Sequence, residues 1–150
     1  MLPKPETTTV EQLPQLAECA AVFYAASRFL KDFDMARFVA LWTDLLQRDV
    51  GVIYSQRVDG RLVGTIGGIL YPETYSGKPV ATEFFWFVLP EFRGAGLQLY
   101  HAFEDWARMR GAMEIRMIHL MDSMPQKLER VYTHLGFVPA EVHYVKPLSL

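Results

Sequence analysis

The chain has 150 residues, 51% hydrophobic and 21% charged, with a formal net charge of −2, which suits one folded domain with ample material for a core. No lysine or arginine block interrupts this balance, which excludes the basic footprint that nonspecific nucleic-acid or membrane binding needs. Cys19 is the only cysteine, so an intrachain disulfide and a multi-cysteine zinc site are excluded as well.

The start, Met1-Leu2-Pro3-Lys4-Pro5, lacks a secretory-signal pattern, and Glu18 and Arg28 interrupt the longest apolar region well short of a membrane span. The expected location is therefore the cytoplasm. No repeat, low-complexity segment or linker divides the chain, so residues 1–150 are expected to form a single domain.

Lys4 to Thr9 reads either as a short first strand or as an extended arm, because Thr7 to Val10 has β propensity while Pro3 and Pro5 flank it. From Val10 to about Phe29 the spacing of Leu13, Leu16, Ala17, Ala20, Phe23, Tyr24 and Ala26 predicts a helix, with Pro14 tolerable in its first turn. Cys19 sits among Ala17, Ala20 and Ala21, as a small buried residue does, with no basic neighbour to make it a nucleophile. Leu30 to Phe33 is expected to be a loop, and Asp34 an N-cap for a second helix through Gln47 with Phe38, Leu41, Trp42 and Leu45 on its apolar face.

Gly51 to Arg57 and Arg61 to Tyr71 are strand-like runs joined at Val58-Asp59-Gly60, a strong hairpin signal. A turn between Pro72 and Pro79 leads into a third antiparallel strand, Val80 to Leu89. Pro90 stops the ladder there, and Gly94 and Gly96 allow a tight turn into a helix whose Leu99, Phe103 and Trp106 share one side, ending at Gly111. Ala112 to Leu120 alternates as a strand expected to lie parallel to its predecessor across a right-handed crossover. Asp122 or Ser123 can cap a last helix, Pro125 to Leu135, ended by Gly136, and Ala140 to Lys146 is expected to be a last strand. Met109, Met113, Met117, Met121 and Met124 read as core filler around the crossover.

The chemistry points to the turn. N–H groups of Gly94 to Gln98 at the positive end of a helix make an anion site, and glycine leaves room for close backbone approach beside the Arg93 charge. A Gly-x-Gly at such a turn is also compatible with a mere tight connection. The dinucleotide fingerprint needs a third glycine where Leu99 stands, and the P-loop Gly-Lys-Ser/Thr occurs nowhere, so neither motif is present. His101, His119, His134 and His143 are scattered and make no metal motif.

Val88-Leu89-Pro90-Glu91-Phe92-Arg93-Gly94-Ala95-Gly96 resembles the acetyl-coenzyme A loop of the GNAT superfamily of N-acetyltransferases, with the pattern Arg/Gln-x-x-Gly-x-Gly/Ala. Arg93 and Gly96 match its first two fixed positions, and Gln98 stands at the third. Downstream, Tyr132-Thr-His-Leu-Gly136-Phe137 is similar to the family's Tyr-x-x-x-Gly-Phe, and Pro125 stands where many members carry asparagine. From about Phe33 onward, including Phe85-Trp86, Phe103-Glu104-Asp105-Trp106 and Glu141-x-x-Tyr144, the chain resembles small GNAT proteins of bacteriophage and bacterial genomes. The resemblance implies an α/β (α+β) fold with a central mixed, mostly antiparallel sheet, helices on both faces and a V-shaped splay after the fourth strand.

It further implies acetyl-coenzyme A bound by Phe87, Val88, Leu89, Arg93, Gly94, Ala95, Gly96, Leu97 and Gln98. Direct transfer of its acetyl group to a primary amine would follow. Such an amine, at pKa about 10.4, is mostly protonated near neutral pH, so a base helps, and the departing sulfur needs an acid. Tyr132 matches the family tyrosine near that sulfur and is the candidate acid; a structural tyrosine is the alternative. Glu83, about ten residues before Arg93 and expected on the strand face of Phe85, Phe87 and Leu89, is the candidate base; a salt-bridged carboxylate or a water chain is the alternative. Phe33, Phe38 and Trp42 are candidates for the acceptor wall or for plain core, and His119, at a strand end, for the acceptor pocket. The acceptor, a small molecule or a peptide, stays open, as does pairing into a homodimer. The rival from another class is a noncatalytic acyl-coenzyme A sensor or assembly module, with a nucleotide-phosphate binder as a third.

Overall fold

The computed structural model describes residues 1–28, 32–121 and 124–148, which fall into two compact units, Met1–Ile118 and His119–Leu150. The first unit is a five-stranded sheet in the order β1-β2-β3-β4-β5. Its frame is the hairpin of β2 (Gly51–Val58) and β3 (Arg61–Pro72). Asp59 and Gly60 both take positive φ, 50° and 80°, which is the twist-matched two-residue turn that an Asp-Gly pair favours. β4 (Pro79–Val88) adds antiparallel to β3, β1 (Glu6–Thr7) adds antiparallel to β2, and β5 (Glu114–Arg116) lies parallel to β4.

Helices cover both faces. On one side, Leu13, Leu16 and Ala17 of α1 (Leu13–Ala25) and Phe38 and Trp42 of α2 (Met35–Gln47) enclose Ile53, Leu62 and Phe85. On the other, Leu99, Phe103, Trp106 and Ala107 of α3 (Ala95–Met109) pack on Val52, Ile66 and Ala81. α2 begins where Asp34 was expected to cap it: Asp34 Oδ1 accepts the Arg37 N–H at 3.0 Å, satisfying one otherwise orphaned donor. α3 stops at a left-handed Gly111, φ 74°, with the Ala112 and Gly111 N–H groups turned back to the carbonyls of Ala107 and Arg108 at 2.9 and 3.0 Å.

Two glycines of β3 let aromatic rings sit directly on the backbone. A methyl group at Gly68 would come within 2.5 Å of the Phe103 ring and 2.6 Å of the Thr82 carbonyl oxygen, and one at Gly67 within 2.3 Å of the Phe85 ring.

The boundaries of several elements depart from the periodicity. Val10–Gln12 is a 3-10 turn and α1 ends at Ala25, short of the expected Phe29. Phe29 to Lys31, within or beside the expected loop, and the expected caps Asp122 and Ser123 lie outside the described residues. β5 covers three residues of the nine expected, because β4 pairs with it only from Val80 to Thr82 before the two diverge. Met109, Met113, Met121 and Met124 are exposed, and only Met117 of the five packs against the α3-side core. An amphipathic alternation over Met113, Ile115 and Met117 marks a strand but not how far its partner follows.

The second unit contains α4 (Pro125–His134), entered through Met124 at φ 47° and ended at Gly136, φ 89°. Residues 138–148 are exposed and take no regular structure, so the strand expected over 140–146 does not form. Alternation over Val142, Tyr144 and Lys146 cannot by itself make a strand, which needs a hydrogen-bonding partner, and Pro139 and Pro147 cap the run. Among the described residues no helix is long and apolar enough to cross a membrane.

Candidate active site

The site begins where β4 and β5 separate. Thr82 is the last β4 residue paired with β5, opposite Arg116. The next residue, Glu83, puts its carboxylate into the opening gap and accepts the Ile118 N–H at 3.1 Å through Oε2. From Phe84 to Val88 the edge of β4 away from β3 has no ladder partner among the described residues. This is the splay the fold was expected to show: a slot that opens along the edge of β4 beyond Thr82.

Glu83 is 4% exposed, and burial pushes its carboxyl up to about 8 against the opposing pull of the Ile118 N–H. Among the described residues no cation offsets the burial, so the carboxyl titrates close to neutral pH. Its face differs from expectation. β3 residues Gly67 and Gly68 are opposite Phe85 and Glu83, leaving Phe84 as the extra residue of a β-bulge. Neighbours on β3 point to opposite faces, so Glu83 and Phe85 do too, and the bulge aims the carboxylate away from the aromatic row of Phe85 and Phe87.

The turn after β4 is built as the spacing suggests, with refinements. Leu89 is tied to β3 by its N–H on the Val63 carbonyl at 2.9 Å. A 3-10 turn, Pro90–Phe92, then carries the chain to Arg93 and Gly94, the N-cap of α3. Glu91, the acid of the turn, faces Arg61 at 3.5 Å in an exposed pair. A helix starting at Ala95 leaves its first N–H groups without i−4 carbonyls. One of the expected donors is used internally, since the Gly96 N–H reaches the Arg93 carbonyl at 3.2 Å.

The glycines of the turn are not needed by the fold. Gly94 has φ −62°, a value any residue adopts. A methyl group there would meet nothing within 4 Å, and one at Gly96 only ordinary contacts at 3.5 Å or more to Trp86 and Val88. Open space over bare backbone, at the positive end of a 15-residue helix beside an arginine, fits a phosphate-bearing ligand. Val88 and Phe87 flank it, Val88 toward the α3 side and the Phe87 ring 5.4 Å from Phe23. Leu97 is exposed. The Gln98 carboxamide, by contrast, is occupied: its Oε1 accepts from Gln56 Nε2 at 2.7 Å.

The candidate acceptor residues form a run of rings. Phe33 lies 4.6 Å from Tyr24 and 5.5 Å from Phe38, and Trp42 lies 5.2 Å from Phe85. Phe38 and Trp42 are buried, 7% and 2% exposed, and belong to the core, while Phe33 is half-buried. Tyr24 was not singled out by the sequence. Burial, and then the Glu83 charge, push its phenol above the usual value. Gln56 was also missed: Ser55 and Arg57 flank it on β2, and nothing in the sequence marks it as buried.

In the second unit, the Tyr132 ring stacks on His119 at 6.1 Å and 7° and meets Phe137 at 5.5 Å. The Tyr-x-x-x-Gly-Phe motif has a local cause. Gly136 takes the left-handed position, the Phe137 N–H reaches back to the Tyr132 carbonyl at 2.9 Å, and the two rings close the helix end. Pro125, in place of asparagine, occupies the first turn of α4, where its missing N–H costs nothing.

Solved structures share this fold across nearly the whole chain. A ribosomal-protein-alanine N-acetyltransferase from Brucella melitensis biovar Abortus 2308 is 20% identical over 96% of this chain and 97% of its own, with a TM-score of 0.73. A Trypanosoma brucei acetyltransferase is 21% identical over 97% and 99%, TM-score 0.69. An aminoglycoside N-acetyltransferase, AAC(6')-Iy, in complex with CoA, is 20% identical over 96% and 94%, TM-score 0.75. No curated protein matches the chain in sequence. The family model of the Acetyltransferase (GNAT) family matches residues 16–137, through both turn and tyrosine motif, and the chain belongs to that family.

Proposed function

We propose that the protein is an N-acetyltransferase that moves the acetyl group of acetyl-coenzyme A to a primary amine by direct attack. The observation that carries this reading is the pair of glycines, Gly94 and Gly96, at the head of α3, where a methyl group would fit at either position and open space lies over Gly94. The family match runs through both compact units, which supports reading residues 1–150 as one working domain. The neighbours are named for a ribosomal-protein alanine and for aminoglycosides, and both kinds of acceptor present an amine.

Arg93, Gly94, Ala95, Leu97 and Gln98 would hold the phosphates, with Phe87, Val88 and Leu89 along the open edge of β4. Coenzyme A, when bound, supplies the acetyl group as a thioester. Glu83 takes the proton from the amine nitrogen as the N–C bond forms, in a buried setting where its carboxyl titrates near the working pH. Tyr132, assigned on its motif, gives its phenolic proton to the sulfur released as the C–S bond breaks. Phe33, on the support of Phe38 and Trp42, borders the acceptor, with His119 beside Tyr132 as a further acceptor contact.

The test is a calorimetric titration with acetyl-coenzyme A. Wild type is expected to bind in the micromolar range, and the Arg93→Ala, Gly96→Ala double variant roughly 10- to 100-fold more weakly, the worth of one or two charge-assisted contacts. The Gly96 methyl meets only ordinary contacts, so Gly96→Ala by itself should keep the wild-type melting temperature while weakening binding. Absence of binding by wild type overturns the assignment. Tyr132→Phe is expected to keep that affinity while lowering turnover at least tenfold. Turnover equal to wild type removes Tyr132 as the acid.

A further inference from the structure

The Gln98 side chain stands where the family pattern has glycine or alanine, and its orientation can be deduced atom by atom. The Pro3 carbonyl can only accept. Gln56, 1% exposed on β2, lies 2.6 Å from that oxygen, so the nitrogen of its carboxamide must face it. The same Nε2 is 2.7 Å from the Gln98 side chain. A nitrogen with two hydrogens, one given to Pro3, has the second to give, so the Gln98 atom facing it is the oxygen. The planar carboxamide then directs Gln98 Nε2, with its two N–H donors, away from Gln56.

Where that donor group goes follows from helix geometry. Gln98 is the fourth residue of α3, and helical side chains lean back toward the N-terminus, over the turn that begins at Ala95. Gln98 is exposed, and among the described residues no acceptor is recorded for its Nε2. Gln56 is held immobile: it is buried, its two hydrogens are both used, and its Oε1 has no partner among the described residues. A fold tolerates such an orphaned acceptor only where the rest of the arrangement repays its cost.

We propose that Gln56 is a positioning residue that orients Gln98 as a side-chain phosphate donor. Two N–H groups of the Gln98 carboxamide would join the backbone donors of the α3 first turn on the pyrophosphate of the cofactor. This rests on the acetyl-coenzyme A reading above and adds to it a contact that a glycine or alanine at this position cannot make.

The alternative, that Gln98 is bulk in the way of the cofactor, predicts the opposite sign, which makes the test sharp. Affinity for acetyl-coenzyme A is measured by calorimetry on the full chain, with melting temperature as the fold control and KM and kcat in acetyl transfer as the kinetic readout. Gln98→Ala should weaken binding about tenfold and raise KM with kcat unchanged. Gln98→Glu, which keeps an oxygen toward Gln56 but turns a negative oxygen outward, should weaken it more than Gln98→Ala does. Gln56→Met should weaken it as much as Gln98→Ala, and the Gln56→Met, Gln98→Ala double variant no further, since both act through one group. Wild-type affinity or tighter in Gln98→Ala overturns the proposal, and full affinity in Gln56→Met overturns the positioning role. Failure of wild type to bind overturns the acetyltransferase reading and this inference together, whereas wild-type binding with an unaffected Gln98→Ala removes this inference alone.

Discussion

Glu83→Gln lowers kcat by about 10²- to 10⁴-fold, the range for loss of a positioned general base, and removes an inflection near pH 8 from the rate profile. With its carboxyl pushed up to about 8 by burial, Glu83 is mostly protonated at pH 7, and only the ionised fraction accepts a proton. Turnover in the wild type should therefore climb about tenfold per pH unit below 8 and bend there. A stability signature accompanies it with the opposite sign. The folded-state carboxyl titrates above its ordinary 4.5, so the folded chain binds more protons than the unfolded one between these values. Stability due to this group is fully present below about pH 4.5 and declines as pH rises toward 8, by roughly 3–5 kcal/mol. Glu83→Gln abolishes that decline, so the variant should be more heat-stable than wild type at pH 8 and far less active. Chemical denaturation at pH 5 and pH 8, beside a pH–rate series, reads both. Wild-type turnover in the variant eliminates Glu83 as the base; an unchanged pH dependence of stability eliminates its raised carboxyl.

Gly68→Ala has the largest expected effect on the fold itself. The added methyl would sit 2.5 Å from the Phe103 ring and 2.6 Å from the Thr82 carbonyl oxygen. A surface side chain would swing aside, but Phe103 is fully buried and the Thr82 oxygen is backbone in the central ladder. Relief requires β3 and β4 to part or α3 to lift, so the cost is at the upper end for overpacking, about 3 kcal/mol. For a chain of this length that lowers the melting temperature by roughly 6–12 °C. The strain is transmitted to Glu83, the ladder partner of Gly68, so affinity and turnover should suffer even in the fraction that folds. A variant that melts with the wild type would refute this close apposition of β3 and α3.

These two residues also show what was legible in the amino acids. Local chemistry with one solution was readable: Asp59-Gly60 demanded two positive φ values, and Asp34 demanded a helix behind it. The bulge at Phe84 was not readable. Phe84-Phe85-Trp86-Phe87 is apolar at every position, so no polar beat marks where the alternation slips, and the face of Glu83 was misassigned in consequence. The length of β5 was hidden for a related reason, because it is set by the divergence of β4 and not by its own residues. Gln56 and Gln98 lie 42 positions apart. Their bond exists only once α3 is laid on β2: Gln98 was conspicuous as a departure from a small-residue position, whereas Gln56, between Ser55 and Arg57, was not.

The amino-terminal arm carries a consequence for how this chain behaves among copies of itself. β1 is only two residues long, yet its pairing of Glu6 with Ser55 and Thr7 with Tyr54, and the Thr8 N–H on the Ile53 carbonyl at 2.8 Å, occupy the outer side of β2. Thr8 Oγ1 is then locked to Ser55 Oγ at 2.7 Å, which in turn reaches Thr65 at 3.3 Å. Without that arm β2 would present a run of unpaired amides backed by apolar residues, a template for strand-to-strand aggregation. The arm acts as a sacrificial partner, short enough to add little surface of its own and anchored by buried hydroxyls, so that protection of this edge of β2 rests on Glu6, Thr7 and Thr8.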